Sequence, residues 1–336
     1  MSNRSMLMSI SARAIPLAQN KFELPPALFN GAGDTRTVGI EIEFSGLNAR
    51  DAADLVAAAF GGNVVEDDPH ACRVKGSALG DFSIKLDSRY GHYERKPRNL
   101  IEEAGAMLSS LVGDAASLVV PYEIAVPPVP IDRLYEIEDL ISRLREHGAM
   151  GTKESVLYAF ALHFNPEAPR LEAQAIVAVL KAYALLSPWL WRTINPDPTR
   201  RVLGFAEPFP QHYVQRLASE DYWPSVPELI DHYIEANPTR NRDLDLLPLL
   251  AFLDEGRVRA ALPNEKINPR PTFHYRLPDS RLGDPRWSLA TEWNRWVAVE
   301  RLAGDRKRLA DVGRAYLGQL DAGQEWADRV PELAFA

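Results

Sequence analysis

The chain has 336 residues, one cysteine, and 46 acidic against 38 basic side chains, a formal net charge of −8. One cysteine excludes an internal disulfide and a thiolate zinc site, and the acidic total argues against non-specific nucleic-acid binding, which needs a cationic surface. With 46% apolar and 25% charged residues, the composition is that of a globular protein long enough to bury a full core.

In chain order, residues 1–35 carry little pattern and read as a mobile arm that ends in the turn Asn30-Gly31-Ala32-Gly33-Asp34. Residues 36–310 read as one domain and 311–336 as a helical tail. Residues 37–45 alternate strictly: Val38, Ile40, Ile42 and Phe44 share one face, and Gly39, Glu41, Glu43 and Ser45 the other, the pattern of a half-buried strand. A helix is predicted over 49–60, a second alternating strand over 82–88, and an amphipathic helix over 100–112. Residues 118–125 read as a strand that stops at Val126-Pro127-Pro128-Val129-Pro130, because proline breaks a ladder.

A helix follows over 131–147, then a strand over 156–165 with Phe160, Leu162 and Phe164 on one face and Ala161, His163 and Asn165 on the other. Residues 171–187 form an apolar helix. The longest apolar stretch, Ala173 to Trp191, is interrupted by Gln174, Lys181 and Pro188, so no membrane span is expected. The N-terminal residues lack the apolar core of a secretion signal, and the reading is cytoplasmic. Residues 195–227, rich in Pro, Arg and aromatics, read as an irregular excursion and a candidate substrate lid. Helices near 227–236 and 243–254 precede a strand over 271–278, with Phe273, Tyr275 and Leu277 opposite Thr272, His274 and Arg276. The chain is helical from 286 onward.

Strands with one apolar and one polar face do not suit a doubly wound parallel sheet, which buries both faces. They predict an α+β fold: an antiparallel sheet, helices on one side, and an open polar side for chemistry. On that polar side, Glu41 and Glu43 sit ~7 Å apart at their Cα atoms. Paired carboxylates suit Mg²⁺, which takes oxygen ligands and keeps waters for substrate phosphates, or they are a plain solvated face. Asp87 and Glu123 could complete a metal site. Lys85 could neutralise phosphate or pair with a carboxylate. Ala159 and Ala161 leave room above the sheet beside His163 and Asn165, which can donate hydrogen bonds to a phosphate or carboxylate. Arg276, with Arg240, Arg242, Arg270 and Arg281 in turn-like sequence nearby, makes either an anion pocket or ordinary surface charge. P-loop, Rossmann, zincin and α/β-hydrolase motifs do not occur.

The segment Val38-Gly39-Ile40-Glu41-Ile42-Glu43-Phe44 resembles the opening G-x-E-x-E strand of the amidoligases, carboxylate–amine ligases related to glutamine synthetase and γ-glutamylcysteine ligase. Leu86-Asp87-Ser88, Tyr122-Glu123-Ile124-Ala125-Val126-Pro127-Pro128, Leu162-His163-Phe164-Asn165 and Phe273-His274-Tyr275-Arg276 resemble later motifs in the family's order. The resemblance spans roughly residues 37–300. It implies a curved antiparallel half-barrel with helices on the convex face, and ATP-dependent amide formation through an acyl phosphate. By that likeness, Glu41, Glu43 and Glu123 bind Mg²⁺, His163 and Asn165 line the nucleotide site, Arg276 stabilises the transferring phosphate and Asp87 serves the amine. Beside that likeness, the residues themselves offer Lys85 and Arg270 as nucleotide contacts, and Arg240 and Arg242, in a turn that joins 195–227 as candidate lid, as substrate contacts.

The expected partners are a carboxylate and an amine, each a small molecule or a peptide. Neither nucleic acid nor membrane is expected, and related ligases that form rings leave a homo-oligomer open. Three alternatives stand beside this reading. One is a γ-glutamyl-metabolite synthetase; another is a non-catalytic nucleotide- or peptide-binding relative acting as an assembly factor. The last is a glycosidase, which neighbouring carboxylates on one strand suit poorly.

Overall fold

A computed structural model describes residues 21–86, 121–152, 160–202, 204, 206–319 and 323–335. The helix expected over 100–112 and the residue Asp87 lie outside these described residues. The fold is α+β, built on one eight-stranded sheet in the order β2-β3-β4-β5-β1-β6-β8-β7. The strands are β1 (Thr37–Phe44), β2 (Asn63–Asp68), β3 (Ala71–Ser77), β4 (Gly80–Leu86), β5 (Tyr122–Pro130), β6 (Leu162–Pro166), β7 (Leu244–Asp245) and β8 (His274–Tyr275). Every pairing between neighbours is antiparallel. The sheet is open and uncurled, with β2 and β7 as its edges, so it does not show the expected half-barrel curl.

β1 is the central strand because its alternation is the cleanest. Val38, Ile40, Ile42 and Phe44 are all fully buried on the helical side. Helix α1 (Ala49–Phe60) returns over β2–β4. It starts at Asn48, whose side chain accepts from the Asp51 amide, and it ends at a Gly61-Gly62 pair with positive φ. Gly62 is required there: a Cβ would lie 2.8 Å from the Lys75 carbonyl oxygen of β3. Helix α2 (Tyr135–Glu146) packs on α1, and α3 (Ala173–Ile194) packs against α9 (Leu289–Gly304) and α11 (Gly323–Phe335).

By length and composition α3 could cross a membrane, but 78% of its most apolar window is buried inside the fold, as expected of a core helix. It is longer than the expected 171–187 and carries Pro188 within it. Between α3 and α9 lie α4 (Pro198–Val202), α5 (Gln211–Ala218), α6 (Val226–Ala236), α7 (Leu247–Leu253) and α8 (Glu255–Ala261); α10 (Arg306–Leu317) follows α9.

Several sequence expectations change. β5 does not stop at its prolines. It runs to Pro130, and the β1 register steps from Ile40↔Val126 to Val38↔Val129, so Pro127 and Pro128 occupy a bulge where no ladder amide is needed. The β2–β3 hairpin is not among the expected elements, although on β3 Cys72 and Val74 turn inward against Arg73 and Lys75. β8 is two residues long, extended by isolated bridges at Thr272 and Asp279. The 195–227 segment is not irregular throughout, since it carries α4 and α5. Phe209, Tyr213 and Leu217 are buried, and Arg200 is anchored by the Leu277 and Pro278 carbonyls and Asp279. Residues 21–35 are held in place too, since Trp293 Nε1 and Asn294 Nδ2 donate to the Glu23 and Lys21 carbonyls. Helix α10 crosses the expected boundary at 310.

A buried ion pair joins the start of β1 to α9. Arg36 Nη1 and Nη2 each meet a Glu300 oxygen at 2.7 Å, with side-chain exposures of 0% and 3%. Arg36 also donates to the Ala27 and Glu167 carbonyls, and Trp296 Nε1 donates to Glu300. Removing one partner strands a buried charge, which destabilises by about 3–5 kcal/mol. Arg36→Met should therefore lower unfolding stability in urea by about that amount, and Arg36→Met/Glu300→Met by clearly less. A single-variant loss no larger than that of the double variant would contradict this role.

Candidate functional site

The register of three strands brings the polar residues together. Glu41 faces His163 across β1–β6, Gly39 faces Asn165, and β8 lies beside β6 with Phe164 opposite Tyr275. Phe164 and Tyr275 point to the core, stacked with ring centroids 6.4 Å apart, so His163, Asn165 and His274 turn to the other face. Gly39 has no side chain, and a Cβ there would already be in contact with the Asn165 side chain at 3.5 Å.

Asn165 is the hub of a closed network. Its Nδ2 donates to Glu41 Oε1 at 3.1 Å. Its Oδ1 lies 2.7 Å from Arg270 Nη2 and 2.9 Å from His274 Nδ1. Carboxylate only accepts and guanidinium only donates, so the amide orientation is fixed by chemistry. It follows that His274 Nδ1 carries the proton and Nε2 the lone pair. His163 Nδ1 lies 2.9 Å from the other Glu41 oxygen, and the two imidazoles meet edge to face at 5.1 Å.

The electrostatics follow from this packing. Burial opposes ionisation of Glu41, but the His163 hydrogen bond and the favourable electrostatics of the His274, His163 and Arg270 N–H groups overcome it and hold the carboxyl well below its usual range. Burial pushes His274 well below an ordinary imidazole, partly offset by Glu41. Glu41 and His274 open onto a cavity of about 590 Å³. Its rim carries Arg240, Arg259, Lys266 and Arg270 against the acids Glu41 and Glu265. Two of these cations already have partners, Arg240 in Asp245 and Arg259 in Glu255.

Among the described residues, Glu41, His163 and His274 form the cluster able to hold a metal ion, with ligand atoms within 4.8 Å of one another. One carboxylate and two imidazoles are a donor set that suits Zn²⁺ or a similar transition metal, whereas Mg²⁺ would take only the carboxylate oxygens of Glu41.

A family model described as "putative amidoligase enzyme" matches residues 34–298. The chain belongs to the amidoligase family. No curated protein and no solved structure gives a match.

The remaining family-motif residues are spread along the same sheet face. Glu43, Glu123 and Lys85 stand side by side on β1, β5 and β4, as register partners rather than cavity residues. Glu43 is 2% exposed, and its Oε2 accepts from the Ala161 amide at 2.8 Å. Arg276 lies just outside the cavity lining, where its Nη1 donates to the Arg240 carbonyl. It thereby supports Arg240, whose Nε meets the buried Asp245 at 3.2 Å. Arg242 meets Glu207 at 3.2 Å and the Pro208 carbonyl at 2.9 Å, apart from the cavity. Arg281 is used by the Ile194 and Asn195 carbonyls and Asp279.

Sequence reasoning placed His274 on the polar face but gave it no role, although the alternation through Tyr275 and Arg276 was the available signal. Arg259 and Lys266 lie in stretches without periodicity, which offer no such signal.

Because the folded Glu41 carboxyl titrates below the ordinary 4.5, its contribution to stability is present above that value and is lost as pH falls through the folded one. Glu41→Gln should therefore flatten the acid limb of the unfolding free energy measured against pH. An acid limb as steep as that of the wild type would contradict the assignment.

Proposed function

We propose that this member of the amidoligase family is an ATP- and Mg²⁺-dependent ligase that joins a carboxylate to an amine. The observation that carries the reading is the ionised Glu41, on the floor of a 590 Å³ cavity rimmed by four cationic side chains. A carboxylate is a poor electrophile, and phosphoryl transfer from ATP turns it into an acyl phosphate that an amine can attack. The protein's task is to bind the triphosphate, neutralise its charge and exclude water.

In this reading, Arg240 and Arg270 hold phosphate oxygens through charge-assisted hydrogen bonds. Asn165 fixes Arg270 and His274 at once, so the anion site is set before substrate arrives. Arg276 acts from behind, through the Arg240 backbone. The Glu41 carboxylate would meet the Mg²⁺ through oxygen, with His163 and His274 orienting it rather than serving as ligands, and Glu43 and Glu123 would extend the acidic face toward a second ion. A bound Mg²⁺ would supply neutralisation of the phosphate charge. The kinship with glutamine-synthetase-like ligases belongs to the same proposal, as do an amino acid, peptide or protein side chain as acceptor and Asp87 as the group serving the amine.

The non-catalytic alternative predicts nucleotide or peptide binding without turnover. The presence of Glu41, Glu43, Glu123 and Arg276 together favours catalysis over it.

Calorimetric titration of ATP with and without Mg²⁺ tests the reading. The wild type should bind in a Mg²⁺-dependent manner, and Glu41→Gln should weaken that binding by about tenfold or more. Arg270→Met should weaken it by about 10–100-fold through a lost charge-assisted bond. Equal affinity with and without Mg²⁺, or a Glu41→Gln protein that binds as the wild type does, would overturn the reading.

A further inference from the structure

A second cationic site lies in the helical layer. Lys181, in the middle of α3, is 3% exposed. Its Nζ donates to the Ser219 carbonyl at 2.8 Å and lies 4.0 Å from the centre of the Trp223 ring. An ammonium has three N–H donors. One carbonyl and one ring face satisfy two, and among the described residues no second oxygen accepts from it. The guanidinium of Arg306 lies 3.7 Å from the same ring centre, and no described residue accepts from it either.

A cavity of about 240 Å³ opens beside these groups, walled by Leu185, Leu217 and Leu309. That is room for about eight waters, or one small organic molecule. The acid on its rim, Glu220, is drawn away into an ion pair with Arg314. Two cations thus share one indole above an apolar wall, and the acid on the rim is already paired with Arg314. The strain shows in Lys181, which burial and then the Arg306 charge push down to about 8, against Asp221 and Glu220. A buried charge is costly unless it is paired.

We propose that this cavity is a binding site for a small monocarboxylate bearing a short hydrocarbon or aromatic group. The carboxylate would lie between Lys181 and Arg306, with the tail against the three leucines. Phosphate or sulfate would leave the apolar wall unfilled. The site shares no lining residue with the Glu41 cavity and does not depend on the ligase reading.

The test titrates benzoate and isovalerate into the protein, followed by Trp fluorescence and calorimetry, with benzamide as the neutral match for benzoate. At least one carboxylate should bind saturably at millimolar concentration or below, and benzamide at least tenfold more weakly. Lys181→Met keeps the side-chain length without the charge, and Arg306→Gln is a surface change; each should lower affinity tenfold or more. On the wild type, the bound carboxylate should slow acetylation of Lys181 by acetic anhydride, read by peptide mass spectrometry, at least fivefold. This arm needs no variant to fold. Absence of saturable binding by both carboxylates, equal binding of benzamide, wild-type affinity in a folded Lys181→Met protein, or an unchanged acetylation rate would each overturn the proposal and leave Lys181 as a packing cation.

Discussion

Everything at the candidate site depends on the two-residue period of three registered strands. Ile40 and Ile42, Phe164, and Tyr275 are driven to the helical side by burial. Because side chains alternate, that burial forces Glu41, His163, Asn165 and His274 to the opposite face. A one-residue slip in any strand would bury these polar groups against the helices and expose the aromatic core. Hydrophobic packing on one face therefore sets the geometry of charged groups on the other. Phe164, Phe273, Tyr275, Trp293 and Trp296 stack under the site and stiffen that coupling.

The polar face is then locked by hydrogen bonds with unambiguous directions. Asn165 donates to a carboxylate and accepts from a guanidinium and an imidazole, so its neighbours cannot rotate independently. Buried ion pairs brace the frame around it. Arg36–Glu300 ties β1 to α9, and Arg200–Asp279 ties α4 to the chain leaving β8. Such pairs contribute less to net stability than to holding elements in one arrangement, which keeps the polar face in a fixed geometry. The burial of Arg200 ties the proline-rich segment after α3 to the chain that leaves β8.

Much of this was legible in the sequence where alternation was strict. The two faces of β1, the helices over 49–60 and near 227–236, and the shared polar face of Glu41, His163 and Asn165 follow from period. What was not legible has physical causes. β2 has no fully buried residue and so shows no clear period, and on β3 only Cys72 and Val74 turn inward, too short an alternation to stand out. The prolines of β5 look like a stop signal because local sequence does not show that a bulge removes the need for their amides. Arg242 and Arg281 match Arg240 and Arg270 in residue type, and only the tertiary arrangement sends them to Glu207 and Asp279 instead of the cavity. Likewise, Glu43 and Glu123 are side by side, but the cluster able to hold a metal gains its nitrogen ligands from β6 and β8, across the other edge of β1.

The central claim is that Glu41 and the surrounding cations form a metal–nucleotide site. The most direct measurement is a crystal structure of the protein with a non-hydrolysable ATP analogue and Mn²⁺, whose anomalous scattering locates the ion that stands in for Mg²⁺. The account predicts Mn²⁺ bonded to Glu41 and to phosphate oxygens, with the triphosphate lying against Arg240 and Arg270 inside the 590 Å³ cavity. A nucleotide bound elsewhere, or Mn²⁺ bound without any contact to Glu41, would contradict it.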